Sequence, residues 1–202
     1  MPIQIKDAQD IEKMRIAGRL ASEVLDFITP HIKPGITTEA IDKLCHDYMV
    51  NVQGTIPAPL NYAPDGHNPY PKSVCTSVNH VICHGIPNDK PLKNGDIMNL
   101  DITVIKDGYH GDTSRMFFVG DVSPHAKRLS KITYEAMWKG IEKVKPAPRS
   151  ATSATRCKAT PKAPATAWCR NSAATASARN STRSRRSCTT AVRAPGWRSR
   201  PA

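Results

Sequence analysis

Beyond Lys145 the chain stops supplying what a folded core requires. The 57 residues from Pro146 to Ala202 contain no Leu, Ile, Met, Phe, Tyr or His, and neither Asp nor Glu. They hold 14 Ala, 10 Arg, 8 Ser and 8 Thr, with Trp168, Val192, Trp197 and three Cys as the main bulky apolar groups. Such a segment cannot bury enough apolar surface to offset the entropy of ordering its backbone. Residues 146–202 are therefore expected to form a basic, low-complexity, disordered tail. Residues 1–145, a length suited to one ordinary domain, must carry the fold.

Charge follows the same boundary. The formal net charge is +12, yet residues 1–145 hold 17 Lys+Arg against 17 Asp+Glu, while the tail holds 12 Lys+Arg and no acid. The excess that would ordinarily point to nucleic acid or an anionic surface belongs wholly to the tail. Arg183, Arg185, Arg186, Arg193, Arg198 and Arg200 can supply salt-sensitive phosphate contacts, so a basic-tailed nucleic-acid binder is one reading of the chain. A specific nucleic-acid partner is not expected. Met1-Pro2-Ile3-Gln4-Ile5-Lys6 lacks a long apolar run, and no stretch approaches 18 apolar residues. The expectation is a cytoplasmic monomer without a membrane partner. Its six cysteines form no Cys-x-x-Cys pair, and Cys45, Cys75 and Cys83 are expected as reduced thiols.

Within the first 145 residues the apolar period changes from helical to strand-like. Ile11, Met14, Gly18, Ala21, Leu25 and Ile28 recur at three- and four-residue steps, which predicts a helix from Asp7, its N-cap, to Ile28. Thr37 can cap a second helix reaching about Val50, with Ile41, Leu44 and Tyr48 on one face. A Pro-, Asn- and Gly-rich loop is expected from Gly54 to Pro71. Short strands are predicted at Ser73–Val78 and Val81–Cys83, and longer ones at Asp96–Lys106 and Tyr109–Val119. Asp107-Gly108 between the longer pair is a two-residue hairpin signal. Ser123-Pro124 opens a third helix with Leu129, Ile132, Ala136, Ile141 and Val144 as its apolar positions. The order α-α-β-β-β-α gives an α+β fold class.

The hairpin carries the sharpest chemical signal. A turn at Asp107-Gly108 sets Thr103 opposite Asp112 and Asp101 opposite Ser114. Side chains alternate along a strand, so Asp101 and Asp112 share a face as diagonal neighbours, roughly 7–8 Å apart at the backbone. Two carboxylates aimed at one space repel unless a proton or a cation lies between them. Oxygen donors so placed suit a hard or borderline divalent ion such as Mn, Fe, Co or Zn. Aspartates beside hairpins also serve as solvated turn formers, and Asp107 is read that way. His84, in Cys83-His84-Gly85-Ile86-Pro87, is a second candidate, because Gly85 and Pro87 break the strand and expose the imidazole. His110 stands beside the strand aspartate and is expected to face away from Asp101.

These segments resemble bacterial type I methionine aminopeptidases. The likeness runs through Ile11-Glu12-Lys13-Met14-Arg15-Ile16-Ala17-Gly18, Pro71 to Asn79, Val81-Ile82-Cys83-His84-Gly85-Ile86-Pro87, Asn94 to Asp101, and His110-Gly111-Asp112-Thr113. It is near continuous from Ile3 to Pro146. It implies a pita-bread (creatinase/aminopeptidase-like) fold, here incomplete, and residues 1–145 as the N-terminal half of the catalytic domain. It implies removal of the initiator Met from nascent polypeptide N-termini, at the ribosome, when the next residue is small. Two divalent metal ions (Co, Mn, Fe or Zn) would serve the hydrolysis. Asp101 matches a ligand of one metal and Asp112 the carboxylate bridging both. His84 matches a catalytic residue touching substrate near the scissile amide. Tyr70 and Cys75 match positions lining the methionine pocket, and Asn79 and Val81 positions holding a monovalent cation. The resemblance calls for three further ligands, a His and two Glu from the second half, whereas residues 146–202 contain neither type. The chain as written is thus expected to be inactive. A non-catalytic pita-bread binding module is the other reading, weakened by the presence of both aspartates.

An alternate reading frame accounts for the tail. With GC-rich codons and each new codon started at the old third base, the stretch at Ala173-Ala174-Thr175-Ala176-Ser177 can read Cys-Gly-His-Gly-Ile-Gly, the family motif bearing the missing His. Asn180 to Ala191 can likewise give Phe-His-Glu-Glu-Pro-Gln-Val-Leu-His-Tyr-Gly, and Ser150 to Ala154 Gly-Asp-Ile-Gly. One base in three is free in this exercise and two are largely fixed by the tail. A nucleotide deletion near Lys145-Pro146 is the expectation.

Overall fold

The computed structural model describes residues 5–64, 66–142 and 144. The expected tail, residues 146–202, lies outside the described residues.

The first helix, α1 (Ala8–Ile28), begins where the sequence provides its cap. The Asp7 carboxylate accepts from the Asp10 amide at 2.8 Å, and the Asp10 side chain accepts in return from the Asp7 amide at 3.3 Å. Two otherwise orphaned amide groups are thereby satisfied. The face that becomes buried is Ala17, Ala21, Val24, Leu25 and Ile28, so the stripe is rotated from the expected one. Ile11 stays exposed, and Ala17 replaces Met14 and Gly18 as the close-packing position. Thr37 caps α2 (Thr38–Asp47) by accepting from the Ala40 amide at 3.1 Å. This helix is shorter than expected, because the chain widens into a π-helical turn at Tyr48–Val52.

A four-stranded antiparallel sheet follows among the described residues, formed by β1 (Ile56–Pro57), β2 (Cys75–Val78), β3 (Ile97–Lys106) and β4 (Tyr109–Phe118). β4 pairs with β3 along its whole length; β1 and β2 divide the other edge, β1 at Val104–Ile105 and β2 at Met98–Asp101. The loop expected over 54–71 thus contains a short strand. The segment Val81–Cys83 is not a strand. Asn79 enters a turn at φ +53°, and the Val81 amide donates back to the Val78 carbonyl at 3.1 Å. The chain returns to the sheet at Gly85, whose carbonyl accepts from the Thr76 amide at 2.8 Å.

The hairpin register is the expected one: Lys106 faces Tyr109, Thr103 faces Asp112 and Asp101 faces Ser114. Asp107 and Gly108 both take positive φ, +50° and +81°, as a type I′ turn demands. Met98, Leu100, Ile102 and Val104 alternate inward and are fully buried with Val24, Leu25, Ile28, Ile41 and Cys45. One close approach fixes how α1 lies on β4. A Cβ at Gly111 would stand 2.0 Å from the Ala17 carbonyl oxygen, so only glycine lets the helix backbone rest on the strand. The Tyr109 hydroxyl donates to the Asp10 carboxylate, and Arg115 pairs with Asp26 at 2.8 Å, which ties both ends of the helix to β4.

The last described helix, α3 (Pro124–Ile141), belongs to a separate compact unit. Of its expected apolar positions Ala136 is buried, while Leu129, Ile141 and the following Val144 are exposed.

Candidate functional site

The face of the hairpin turned away from α1 presents Asn99, Asp101 and Thr103 on β3, and His110, Asp112, Ser114 and Met116 on β4. Asp101 is half-buried and Asp112 exposed. The Asn99 amide donates to the Ser114 hydroxyl at 3.3 Å on this same face. His110 pairs with Ile105, which alternates with Asp101 and Thr103, so it lies on the aspartate face and not the opposite one. Its Nδ1 is buried, without a hydrogen-bond partner. The register is the expected one, and within it the pairing of His110 with Ile105 reverses the face expected for this histidine.

Cys75 on β2 stands directly across from Asp101. Its thiol is buried, and the Tyr70 hydroxyl hydrogen-bonds to it. That hydroxyl also lies 3.1 Å from the Val74 carbonyl and 3.0 Å from the Gly85 carbonyl. Burial first, then the Cys75 contact and the nearby carboxylates of Asp42 and Asp101, push the Tyr70 phenol well above its ordinary range, so it is a donor at any working pH. Tyr70, Cys75 and Asp101 therefore form one continuous wall.

His84 is exposed and left-handed, at φ +55°. Its neighbour Gly85 is wedged against β2, where a Cβ would meet the Thr76 carbonyl at 2.0 Å. The Gly85 amide donates to the Ser77 hydroxyl at 3.2 Å. Because Thr76 pairs with Leu100, the His84 segment, β2, β3 and β4 run side by side, with Asp101 on β3 and Asp112 on the edge strand β4. The Asn79 side chain spans the gap between β2 and β3. Its Nδ2 donates to Asp96 at 2.9 Å and its Oδ1 accepts from the Ile97 amide at 3.1 Å. Val81 follows in the same turn, partly exposed.

One residue was missed from sequence. Asp42, on α2, is only 8% exposed. Its Oδ1 accepts from the amides of Ser73 and Val74 at 2.8 and 3.1 Å. An acid directly after the core position Ile41 and three residues before the core position Cys45 was the available signal. Burial holds its pKa above the ordinary aspartate value, against the lowering pull of those two amides, Lys72 and His46. A depression of about 450 Å3 lies beside it, lined by Glu39, Asp42, His46, Lys72 and Ser73 among others. It touches neither Asp101 nor Asp112.

The sequence matches Metallopeptidase family M24 over residues 12–163, three quarters of its length and 18 residues past Lys145. The chain belongs to metallopeptidase family M24. Among curated relatives it is similar to the methionine aminopeptidase of Rickettsia prowazekii, strain Madrid E, with 59% identity over 146 residues, 72% of this chain and 54% of that protein. Among solved structures it resembles the Rickettsia prowazekii methionine aminopeptidase, with a TM-score of 0.66 and 58% identity over 69% of this chain and 54% of that one. The Thermotoga maritima methionine aminopeptidase superposes with a TM-score of 0.70 at 30% identity, covering 77% of this chain and 60% of that one. The fold is thus the pita-bread fold, in part. The chain spans about half the length of the curated relatives it matches. M24 membership implies divalent metal ions as cofactor.

The donors of this M24 chain fit that cofactor only in part. Asp101 and Asp112 share a face, but no group of three or more His, Cys, Asp and Glu side chains able to hold a metal exists among the described residues. Residues 146–202 contain no His, Asp or Glu to add. Two carboxylates leave a divalent ion short of the four to six donors it takes. No described helix is long and apolar enough to cross a membrane.

Proposed function

We propose that this chain carries the amino-terminal half of a methionine aminopeptidase, and that residues 1–202 do not hydrolyse peptides by themselves. The observation that carries the reading is the pairing of Asp101 and Asp112 on the outer face of one hairpin, beside the Cys75–Tyr70 wall. In a complete enzyme of this kind Asp101 would hold one divalent ion and Asp112 would bridge two, drawn from Co, Mn, Fe or Zn. Such a pair polarises a carbonyl and supplies hydroxide near neutral pH. The five-ligand set implied by the resemblance is not spelled by these residues, so no hydrolytic step is assigned to them.

The chain's own groups have assignable tasks. The apolar wall of Tyr70 and Cys75 would receive a methionine side chain, Tyr70 remaining a neutral phenol. His84, held out by its left-handed backbone, would touch the substrate near the scissile amide. Asn79 and Val81 mark the turn for a monovalent cation. The substrate would be the N-terminus of a nascent polypeptide with a small second residue, at the ribosome, and the protein a cytoplasmic monomer. Residues 146–202 would be the enzyme's own second half read out of frame.

The experiment is an assay on Met-Ala peptides with added Co or Mn. The 202-residue chain is expected to give no turnover. A gene with the frame restored at Lys145-Pro146 and extended to the length of the relatives is expected to release Met. Turnover by the 202-residue chain, or none from the restored gene, overturns the proposal.

A further inference from the structure

Asp42 lies on none of the strands that carry the candidate site, yet its carboxylate binds the backbone immediately before β2. Three side chains on one face of α2, at positions 39, 42 and 46, grip the three consecutive residues 72–74. Glu39 pairs with Lys72 at 2.6 Å, and His46 Nδ1 meets the Ser73 hydroxyl at 2.7 Å. Asp42 takes both the Ser73 and the Val74 amides on a single oxygen. Of the three it alone holds the backbone, and it does so while buried; the Glu39–Lys72 pair is exposed and worth little.

The backbone so held begins β2. The Val74 carbonyl is within hydrogen-bonding distance of the Tyr70 hydroxyl, which also reaches the Gly85 carbonyl next to His84 and the Cys75 thiol across from Asp101. One hydroxyl thus joins the start of β2, the His84 turn and the wall facing the aspartates. Its position depends on the 73–74 peptide, and that peptide depends on Asp42. We propose that Asp42 is a positioning residue, setting the Tyr70–Cys75 wall and the His84 turn through the Ser73–Val74 backbone. Its importance for methionine binding rests on the function proposed above, but the geometric claim stands without it.

Cys75 is a built-in reporter, and Cys45 a control. Both thiols are buried, Cys45 in the core itself at 0% exposure. Iodoacetamide labelling of the full 202-residue chain, resolved peptide by peptide by mass spectrometry, reads each separately. Asp42→Ala orphans two amides and should raise the Cys75 rate about tenfold or more while Cys45 stays within about twofold. Asp42→Asn keeps an oxygen acceptor at the same place and should hold Cys75 within about twofold of the parent. Tyr70→Phe, which leaves the α2 grip intact, tests the far end of the same network and should open Cys75 as Asp42→Ala does. Parallel acceleration of Cys45 and Cys75 in Asp42→Ala would mean loss of the whole fold and overturns the claim. So does an Asn variant as leaky as the Ala variant, or a Phe variant in which Cys75 stays closed. Labelling needs no metal and no substrate, so these outcomes are independent of whether the restored enzyme releases Met.

Discussion

Replacing Gly111 by alanine should unfasten α1 from the sheet. The added Cβ would sit 2.0 Å from the Ala17 oxygen, 2.2 Å from the Ala17 carbonyl carbon and 2.6 Å from the Gly18 nitrogen. Ordinary contact begins near 3.4 Å, so helix and strand must part by more than an ångström. The obstacle is backbone on both sides, and no side-chain rotamer can relieve it. Overpacking a core costs about 1–3 kcal/mol, and this case belongs at or above the top of that range. At a typical urea dependence, about 3 kcal/mol lowers the unfolding midpoint by roughly 1–3 M. Gly18→Ala is the matched control. Gly18 lies in the same contact region, but its own Cβ would meet nothing within 4 Å. Alanine there should add about 0.5–1 kcal/mol of helix stability. Urea denaturation of the three chains, followed by far-ultraviolet circular dichroism, should place Gly111→Ala below the parent and Gly18→Ala slightly above it. A Gly111→Ala midpoint equal to the parent's would refute the close-packing argument.

Asp42→Ala should cost roughly 2–4 kcal/mol, since two buried amides lose their acceptor. Because the folded state holds the Asp42 proton more tightly than the unfolded chain does, the contribution of this group weakens as pH rises from the ordinary aspartate range through the raised folded value. Urea midpoints across that range should slope downward for the parent and lose that component in Asp42→Asn. Asp107→Ala places a Cβ-bearing residue without a local polar side chain at φ +50°, and should lower stability by about 1 kcal/mol, whereas Asp107→Asn should be nearly neutral. Cobalt(II) titrated into the 202-residue chain should give no saturable visible absorption at micromolar metal, because two carboxylates do not complete a site. A tight two-equivalent endpoint would contradict the count of donors.

Legibility in the sequence followed the range of the interaction. The register of the hairpin and the shared face of Asp101 and Asp112 were readable, because the Asp107-Gly108 turn fixes the register and strand side chains alternate with period two; the face of His110 is opposite to the expected one. Both caps were readable for the same reason: Asp7 and Thr37 act within three residues of themselves. Val81–Cys83 has strand composition but no partner strand among the described residues. Its path is decided by Asn79, whose side chain holds Asp96 and Ile97, 17 and 18 residues away. Asp42 gave little sign, since its amide partners lie 31 and 32 residues along the chain. Gly111 could be seen as part of a motif, but its reason, the backbone of α1, is a tertiary fact. The site was legible as a list of residue types, and only the structure joins Tyr70, Cys75 and Asp101 into a wall.

The short loop of the hairpin has a consequence for the order of events at the ribosome. Asp101 and Asp112 are joined by a two-residue turn on paired strands, and hairpins of this kind close in about 1–10 microseconds. Synthesis adds roughly 5–20 residues each second. Both carboxylates can therefore be in register long before any more distant donor has been translated. The alignment of the two carboxylates is a local product of the chain, set by ten intervening residues and the two-residue turn between them.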